Sequence, residues 1–426
     1  MTNDRNNHSV LGEAGARGSL DRGTAVFRPY LVLGLLVAFF CGPIVPAHAA
    51  PPPLVLAEQT LSIGSYRFDV RAPEGTVLEV LVPDLAGPRL LTFASNGDLF
   101  IGARDRVYRL TPPYREATTL VALNDYPHSV AFRDAEILIA RTGGLYRAPY
   151  EPGQQRISSN DLSLLARVPG GRGHNSRTVR VGPDGKVYLS LGIAGNCSDQ
   201  YLDPTYAFDD RRGGLSVLVE EGGAARWEAY ATGLRNPVGY DWNPADGEIY
   251  ASNNGPDHLG FEQPPEYFSR LRRGSFHGLP WFYFDGTQMK RDACIGVDPP
   301  RAIEEATQPV ATFPARNAPM GVAFVPPGSL GLQLGGDAVV ALRGSWATPP
   351  DGGPGGDPAG RREPGLAAVR FENGEAVRVD DLLRGFQFAD GRRWLRPVGV
   401  AFGPDGALYI TSDQGLSGLL RLRISN

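Results

Sequence analysis

One phrase recurs along this 426-residue chain: a turn rich in Pro, Asp, Asn and Gly, followed at once by an alternating apolar strand. SNGDLFIGA runs from Ser95, GPDGKVYLSLG from Gly182, NPADGEIYASNN from Asn243 and GPDGALYITSD from Gly403. Weaker copies are FRDAEILIARTGGLYR from Phe132 and VPPGSLGLQLGGDAVVALRGSW from Val325. The Asp-Gly and Asn-Gly pairs supply the positive φ that tight hairpins need. The apolar positions alternate as in a strand and show no helical period. A short apolar strand precedes each copy, as in RLLTFA, SVAF, RTVRV, PVGYDW, GVAF and PVGVAF. Repeated antiparallel units of this kind predict an all-β chain folded as a six-bladed β-propeller. A sandwich also has many short strands, but it does not so readily repeat one turn-plus-strand phrase six times.

Six units fit between Leu85 and Arg423, so residues 85–426 are read as the propeller and 50–84 as a leading segment. Within that segment, residues 51–76 are expected to form an extra or closing strand. Spacing widens in the second half, with Pro- and Gly-rich insertions at Pro349 to Pro364 and around Gln263 to Pro265. The hydrophobic fraction of 42% is ample for a large core and excludes a disordered chain. A net charge of -4 gives no reason to expect nucleic acid or an anionic membrane surface as partner.

Residues 1–49 read as an N-terminal extension and signal peptide. Arg22 and Arg28 precede the apolar run YLVLGLLVAFF (Tyr30 to Phe40), and Ala47-His48-Ala49 offers a cleavage site after Ala49. The run is short of the ~20 residues a membrane span needs, so no stable insertion is expected once the signal is cut. The chain is therefore expected to be exported, to a periplasmic or extracellular location. The mature part keeps Cys197 and Cys294. An oxidising compartment allows a disulfide between them; two separate buried thiols is the other reading.

In a propeller the innermost strands surround a central channel, and polar residues just before them converge on one mouth. His128, His174, Arg235, Asn236, Asn317 and Arg396 all stand at that place in their repeats. Taken singly each is an ordinary loop residue; as a recurring set they predict a site for anions and hydroxyls.

Three phrases carry a resemblance to a known family: GHNSRTVRVGPDGKVYLSLG from Gly173, GLRNPVGYDW from Gly233, and NNGPDHLGFEQPPEYFSRLRRGSFHGLPW from Asn253. With PVGVAFGPDGALYITSD from Pro397 they resemble the soluble pyrroloquinoline quinone (PQQ) dependent glucose and sorbosone dehydrogenases, or aldose sugar dehydrogenases. The resemblance runs from about Leu85 to the C-terminus. It implies a quinoprotein that oxidises an aldose, a sugar aldehyde or a polyol and passes electrons to a cytochrome or quinone acceptor. His174 then matches the general base, a task suited to a neutral imidazole. Arg235 matches the cation beside the quinone oxygens, and Asn236 a cofactor hydrogen-bonding partner. Gly255 and Pro256 match the backbone carbonyls that bind calcium, a hard cation. Arg396 matches a partner of a cofactor carboxylate.

The chain departs from the family pattern at two places. A first-half Gln of the glucose enzymes has no clear counterpart, and Asn124 or His128 is the stand-in. The Gly344-Ser345-Trp346 phrase is followed by Ala347-Thr348 where many relatives have a basic residue, a charge that Arg343 or Arg361 is expected to supply. Asp257 and Glu262 offer a second calcium site, against the reading that they are solvated loop carboxylates. Two other function classes compete: a gluconolactonase-type propeller hydrolase, which needs a central metal held by Glu, Asp and Asn, and a non-catalytic carbohydrate-binding scaffold.

Overall fold

The computed structural model describes residues 52–198, 211–330, 334 and 336–425. The signal-like segment lies outside the described residues. The fold is an all-β propeller of six sheets. Blade 1 is built from strands Pro88–Phe93, Leu99–Ala103, Arg106–Leu110 and Ala117–Ala122, in that spatial order. Blade 2 follows with Ser129–Arg133, Glu136–Arg141, Gly144–Pro149 and Ser163–Arg167. Blade 3 holds Arg177–Val181, Val187–Leu191, Gly214–Glu221 and Ala224–Thr232, with the short strand Ser275–Phe276 added at its outer edge. Blade 4 holds Tyr240–Trp242, Ile249–Asn253, Glu266–Leu271 and Ala311–Phe313. Blade 5 holds Pro319–Phe324, Ala338–Leu342, Gly365–Glu372 and Glu375–Leu383.

Blade 6 closes the ring. Leu395–Phe402 is innermost, and the long strand Leu408–Ile424 pairs with it along its first part. The last part of the long strand pairs with Thr76–Val82, which comes from the leading segment ahead of blade 1. The closing strand is thus Thr76–Val82, while Leu56–Ile63 and Tyr66–Pro73 pair with each other as a hairpin. Sealing the last blade with an N-terminal strand removes the free edges that a linear array of blades would expose.

The repeated turn explains its own sequence. Asp184 Oδ1 accepts from the Lys186 amide at 3.2 Å, and its Oδ2 accepts from the Tyr188 hydroxyl at 3.1 Å. Asp246 does the same for Glu248 and Tyr250, and Asp405 for Ala407 and Tyr409. The Asp of each turn therefore both shapes the turn and satisfies a Tyr hydroxyl on the strand it launches. Each intervening Gly takes positive φ, 74° at Gly185 and 72° at Gly406.

Inner strands meet almost backbone to backbone around the axis. A Cβ on Gly239 would lie 2.2 Å from the Met320 carbonyl oxygen, and one on Gly321 2.7 Å from that of Val398. This close approach is why the Pro-x-Gly phrase recurs at the inner strands. Apolar side chains pack between neighbouring blades, in six clusters around the ring, such as Phe100, Val107, Val130 and Ile139 between blades 1 and 2. A seventh cluster, around Phe276, Trp281 and Ile295, holds a separate hairpin of Phe282–Phe284 and Met289–Arg291, inserted between the last two strands of blade 4. Cys197 and Cys294 are joined in a disulfide, with Cα atoms 5.6 Å apart.

Candidate active site

The loops that lead into the inner strands open on one axial cavity of about 600 Å³. All six blades contribute: Arg89 and Tyr126 from the first two, Gly173 to Ser176 from the third, and Arg235, Asn236 and Asn254 to Asp257 (without Pro256) from the fourth. Blade 5 adds Arg316, Arg343 to Trp346 and Arg361; blade 6 adds Arg393, Arg396 and Asp413. Seven arginines therefore face three carboxylates (Asp257, Glu266 and Asp413), a formal surplus of four positive charges.

His174 is held at both ends. Its Nδ1 lies 2.6 Å from the Ile193 carbonyl oxygen. A carbonyl can only accept, so Nδ1 carries the proton and Nε2 keeps its lone pair. Burial, then the charge of Arg235, lowers the imidazole pKa from 6.5 to about 3. The ring is therefore neutral in neutral solution. Its loop is gripped by two buried arginines that sequence reasoning missed. Arg177 donates to the carbonyls of Pro169, His174 and Ser176, and Arg212 to those of Gly170, Arg172, His174 and Gly192. Arg177 sits in a quoted strand phrase and Arg212 before a strand; neither position betrays that its side chain reaches back beneath the His174 loop.

Arg235 donates through Nε and Nη2 to Asn196 Oδ1 at 2.9 and 2.7 Å, and Asn196 in turn donates to Asp257. Burial lowers its pKa to about 10, which still leaves it charged. Asn236 is fixed by the paired asparagines of the next strand: Asn253 Oδ1 takes its amide at 2.9 Å and Asn254 Oδ1 takes its side-chain Nδ2 at 2.9 Å. This ties the RNP phrase to the NNGP phrase, which the linear sequence leaves unrelated.

Arg396 also lines the cavity, but its guanidinium donates to the carbonyls of Arg343 and Gly344 and to Gln414 Oε1. Burial, then the neighbouring Arg343 and Arg393, lowers its pKa to about 9. Arg343 pairs with Asp413 at 2.9 Å, and Arg89 pairs with the same carboxylate at 2.5 Å. Burial raises the Asp413 pKa, but Arg89 and Arg343 outweigh it and hold the group below the ordinary value. Arg361 and Arg393 join this cluster, so the wall following Trp346 is basic although Ala347 and Thr348 are not. Trp346 stands 55% exposed at the cavity.

Five expected positions are corrected. His128 does not line the cavity: it is fully buried, with Nδ1 3.1 Å from the Arg177 carbonyl oxygen. Tyr126, in a positive-φ turn with Asp125, faces the cavity in its place. Neither Asn124 nor Asn317 lines the cavity. Gly255 does, but Pro256 does not; the Pro256 carbonyl accepts from Arg316 Nη2 at 2.5 Å. Glu262, offered with Asp257 as a second calcium site, instead pairs with Arg362 at 2.6 Å.

No family model matches the sequence. A protein of Borreliella burgdorferi described as uncharacterized is 22% identical over 373 residues, spanning 85% of this chain and 93% of that protein. Among solved structures, a carbohydrate-active enzyme of family AA12 from Trichoderma reesei, in iodide and calcium structures, superposes with a TM-score of 0.68 at 18% identity, covering 83% of this chain. The iodide structure is itself covered to 97%. The holo PQQ domain of a pyranose dehydrogenase from Coprinopsis cinerea gives 0.65 at 19% identity, covering 86% of this chain and all of that domain. The apo form of a soluble aldose sugar dehydrogenase from Escherichia coli gives 0.59 at 17%, covering 82% of this chain and all of that one. At these identities the likeness is one of fold.

Proposed function

We propose that this protein is a PQQ-dependent oxidoreductase of an aldose, a sorbosone-like sugar aldehyde or a polyol. The observation that carries the reading is the axial cavity itself: a neutral His174 with its Nε2 unprotonated beside Arg235, in a wall of seven guanidiniums against three carboxylates. A planar tricarboxylate fits such a wall, since it offsets charges whose burial is otherwise unfavourable. In this reading Arg343, Arg361, Arg393 and Arg396 hold its carboxylates and Arg235 and Asn236 its reactive end; all six line the cavity, which supports the assignment.

When bound, the quinone supplies the two-electron acceptor. His174 Nε2 would take the proton from the substrate hydroxyl oxygen as hydride leaves the carbon that bears it for the bound acceptor. Arg235 stabilises negative charge that develops opposite it. The buried Arg177 and Arg212 hold the His174 loop still, which keeps the base in register with the substrate.

The calcium expected at Gly255 and Pro256 does not fit as well. The Pro256 oxygen already receives a guanidinium, and a divalent cation there would sit against fixed positive charge. The disulfide supports export to a periplasmic or extracellular compartment. Among the described residues no helix is long and apolar enough to cross a membrane. The electron acceptor is proposed to be a cytochrome or a quinone, with no nucleic acid partner. The hydrolase reading needs a cavity of metal-binding carboxylates; among the described residues the cluster with metal-like spacing is Cys197, His258 and Cys294, whose cysteines are bonded to each other.

The test is a titration of the purified protein with PQQ, followed by a panel of sugars and an artificial acceptor. Saturable binding and sugar-dependent bleaching are expected. His174→Gln is expected to retain the fold and the cofactor while lowering turnover at least ~100-fold. Unchanged turnover removes His174 from the role of base.

A further inference from the structure

Arg316, like Arg393, is a charge in the cavity that neither the repeats nor the family phrases single out. It is 2% exposed yet lines the cavity. Its Nη2 donates to the Pro256 carbonyl at 2.5 Å and to that of Gln263 at 3.3 Å, and its Nε is buried without a partner. The backbone is held in place as well: the Arg316 carbonyl accepts from Ser345 at 2.8 Å, tying it to the loop that carries Trp346. The adjoining carboxylate, Glu266, is fully buried and engaged by the Gly255 and Ala318 amides at 2.5 and 3.2 Å.

Across the three successive residues Asn254, Gly255 and Pro256, the first and third carbonyls each accept from a guanidinium. Asn254 takes Arg235 Nη1 at 3.4 Å and Pro256 takes Arg316 Nη2. Of the two carbonyls on which a bound calcium would depend, Gly255 and Pro256, that of Pro256 is therefore taken by Arg316, and Arg235 holds the carbonyl on the other side of Gly255. A divalent cation placed among them would meet these two positive charges at short range, and the nearby carboxylates Asp257 and Glu266 are already matched against them. A guanidinium in that place can do by itself what a hard cation does for a quinone: present positive charge and hydrogen-bond donors to its oxygens.

We propose that Arg316 stands in place of the calcium ion, so that this protein binds and polarises its quinone without a metal. The proposal rests on the PQQ reading above and makes a different prediction from it. Arg316 is fixed by the fold, so the charge is present before any ligand arrives and needs no metal in the surrounding medium.

The experiment titrates the protein with PQQ by absorbance and calorimetry, after treatment with excess EGTA and again with excess calcium chloride. The two dissociation constants are expected to agree within about threefold. Arg316→Met is expected to weaken binding in EGTA at least about tenfold, and Arg316→Lys to restore part of it. If Arg316→Met does not fold, the comparison on the native protein still decides. Binding that requires calcium overturns the proposal and leaves the oxidoreductase reading standing. Native affinity retained by a folded Arg316→Met in EGTA also overturns it. No binding in either condition removes both.

Discussion

Arg212→Met tests whether the His174 loop is held from beneath. Arg212 is 2% exposed and makes four hydrogen bonds, to the carbonyls of Gly192 (2.7 Å), Gly170 (3.3 Å), Arg172 (3.0 Å) and His174 (2.6 Å). Charge-assisted bonds contribute about 1.5 kcal/mol each at the low end, about 6 kcal/mol in total. Against this stands the cost of burying the charge. Burial lowers the Arg212 pKa from 12.5 to about 10, which corresponds to about 3 kcal/mol. Methionine is similar in length and fills the space, so the net loss is about 3 kcal/mol. Most of that loss falls on the loop, because three of the four carbonyls belong to residues 170–174. The assay is amide hydrogen exchange in native conditions. Protection over residues 169–176 is expected to fall about a hundredfold, with the inter-blade strands little changed. Exchange in the loop that matches the native protein, or a loss spread evenly over all blades, refutes the argument.

A Cβ on Gly192 would lie 2.4 Å from the His174 Cβ and 2.7 Å from Asn236 Oδ1, so Gly192→Ala is expected to displace both and weaken PQQ binding at least ~10-fold, read by titration with circular dichroism as the check on fold. His277 is buried, and burial lowers its pKa from 6.5 to about 4. The folded state therefore favours the neutral ring: this stabilisation is complete above pH 6.5 and is lost as pH falls from 6.5 toward 4, by about 3 kcal/mol. His277→Gln is expected to flatten the acid side of the stability curve, measured by urea denaturation across that range. Leu78, 5% exposed, pairs with Leu422 in the closing strand. Leu78→Asp is expected to cost about 3 kcal/mol or more and to lower the thermal midpoint, because it puts a charge into the seam of the ring.

The parts of the site that were legible share one property: their signal is local. His174, Arg235 and Asn236 each precede an inner strand, and any propeller brings those places together. His128 has the same sequence position and fails. The chain turns through positive φ at Asp125 and Tyr126, so Tyr126 is delivered to the cavity and the imidazole two residues on is buried against Arg177. Arg316 also precedes an inner strand, but its meaning depends on the Pro256 carbonyl, 60 residues earlier. Arg393 follows the same logic, since its guanidinium crosses to the carbonyls of Ser345 and Arg362.

By itself the sequence determined the repeat, its number and its turns, because that signal is local: a strand of period two follows an Asp-Gly turn whose Asp bonds the Tyr hydroxyl four residues on. It also brought out His174, Arg235, Asn236 and Arg396 as residues at the mouth of the channel, but wrongly put His128 and Asn317 beside them. Only the tertiary structure decided that Thr76–Val82 seals the last blade, that Arg177 and Arg212 brace His174, and that a guanidinium occupies the Pro256 carbonyl, one of the two expected to hold a metal. Those outcomes depend on groups brought together from distant blades. A charge's role there is set by what burial places beside it, which no local stretch of sequence contains.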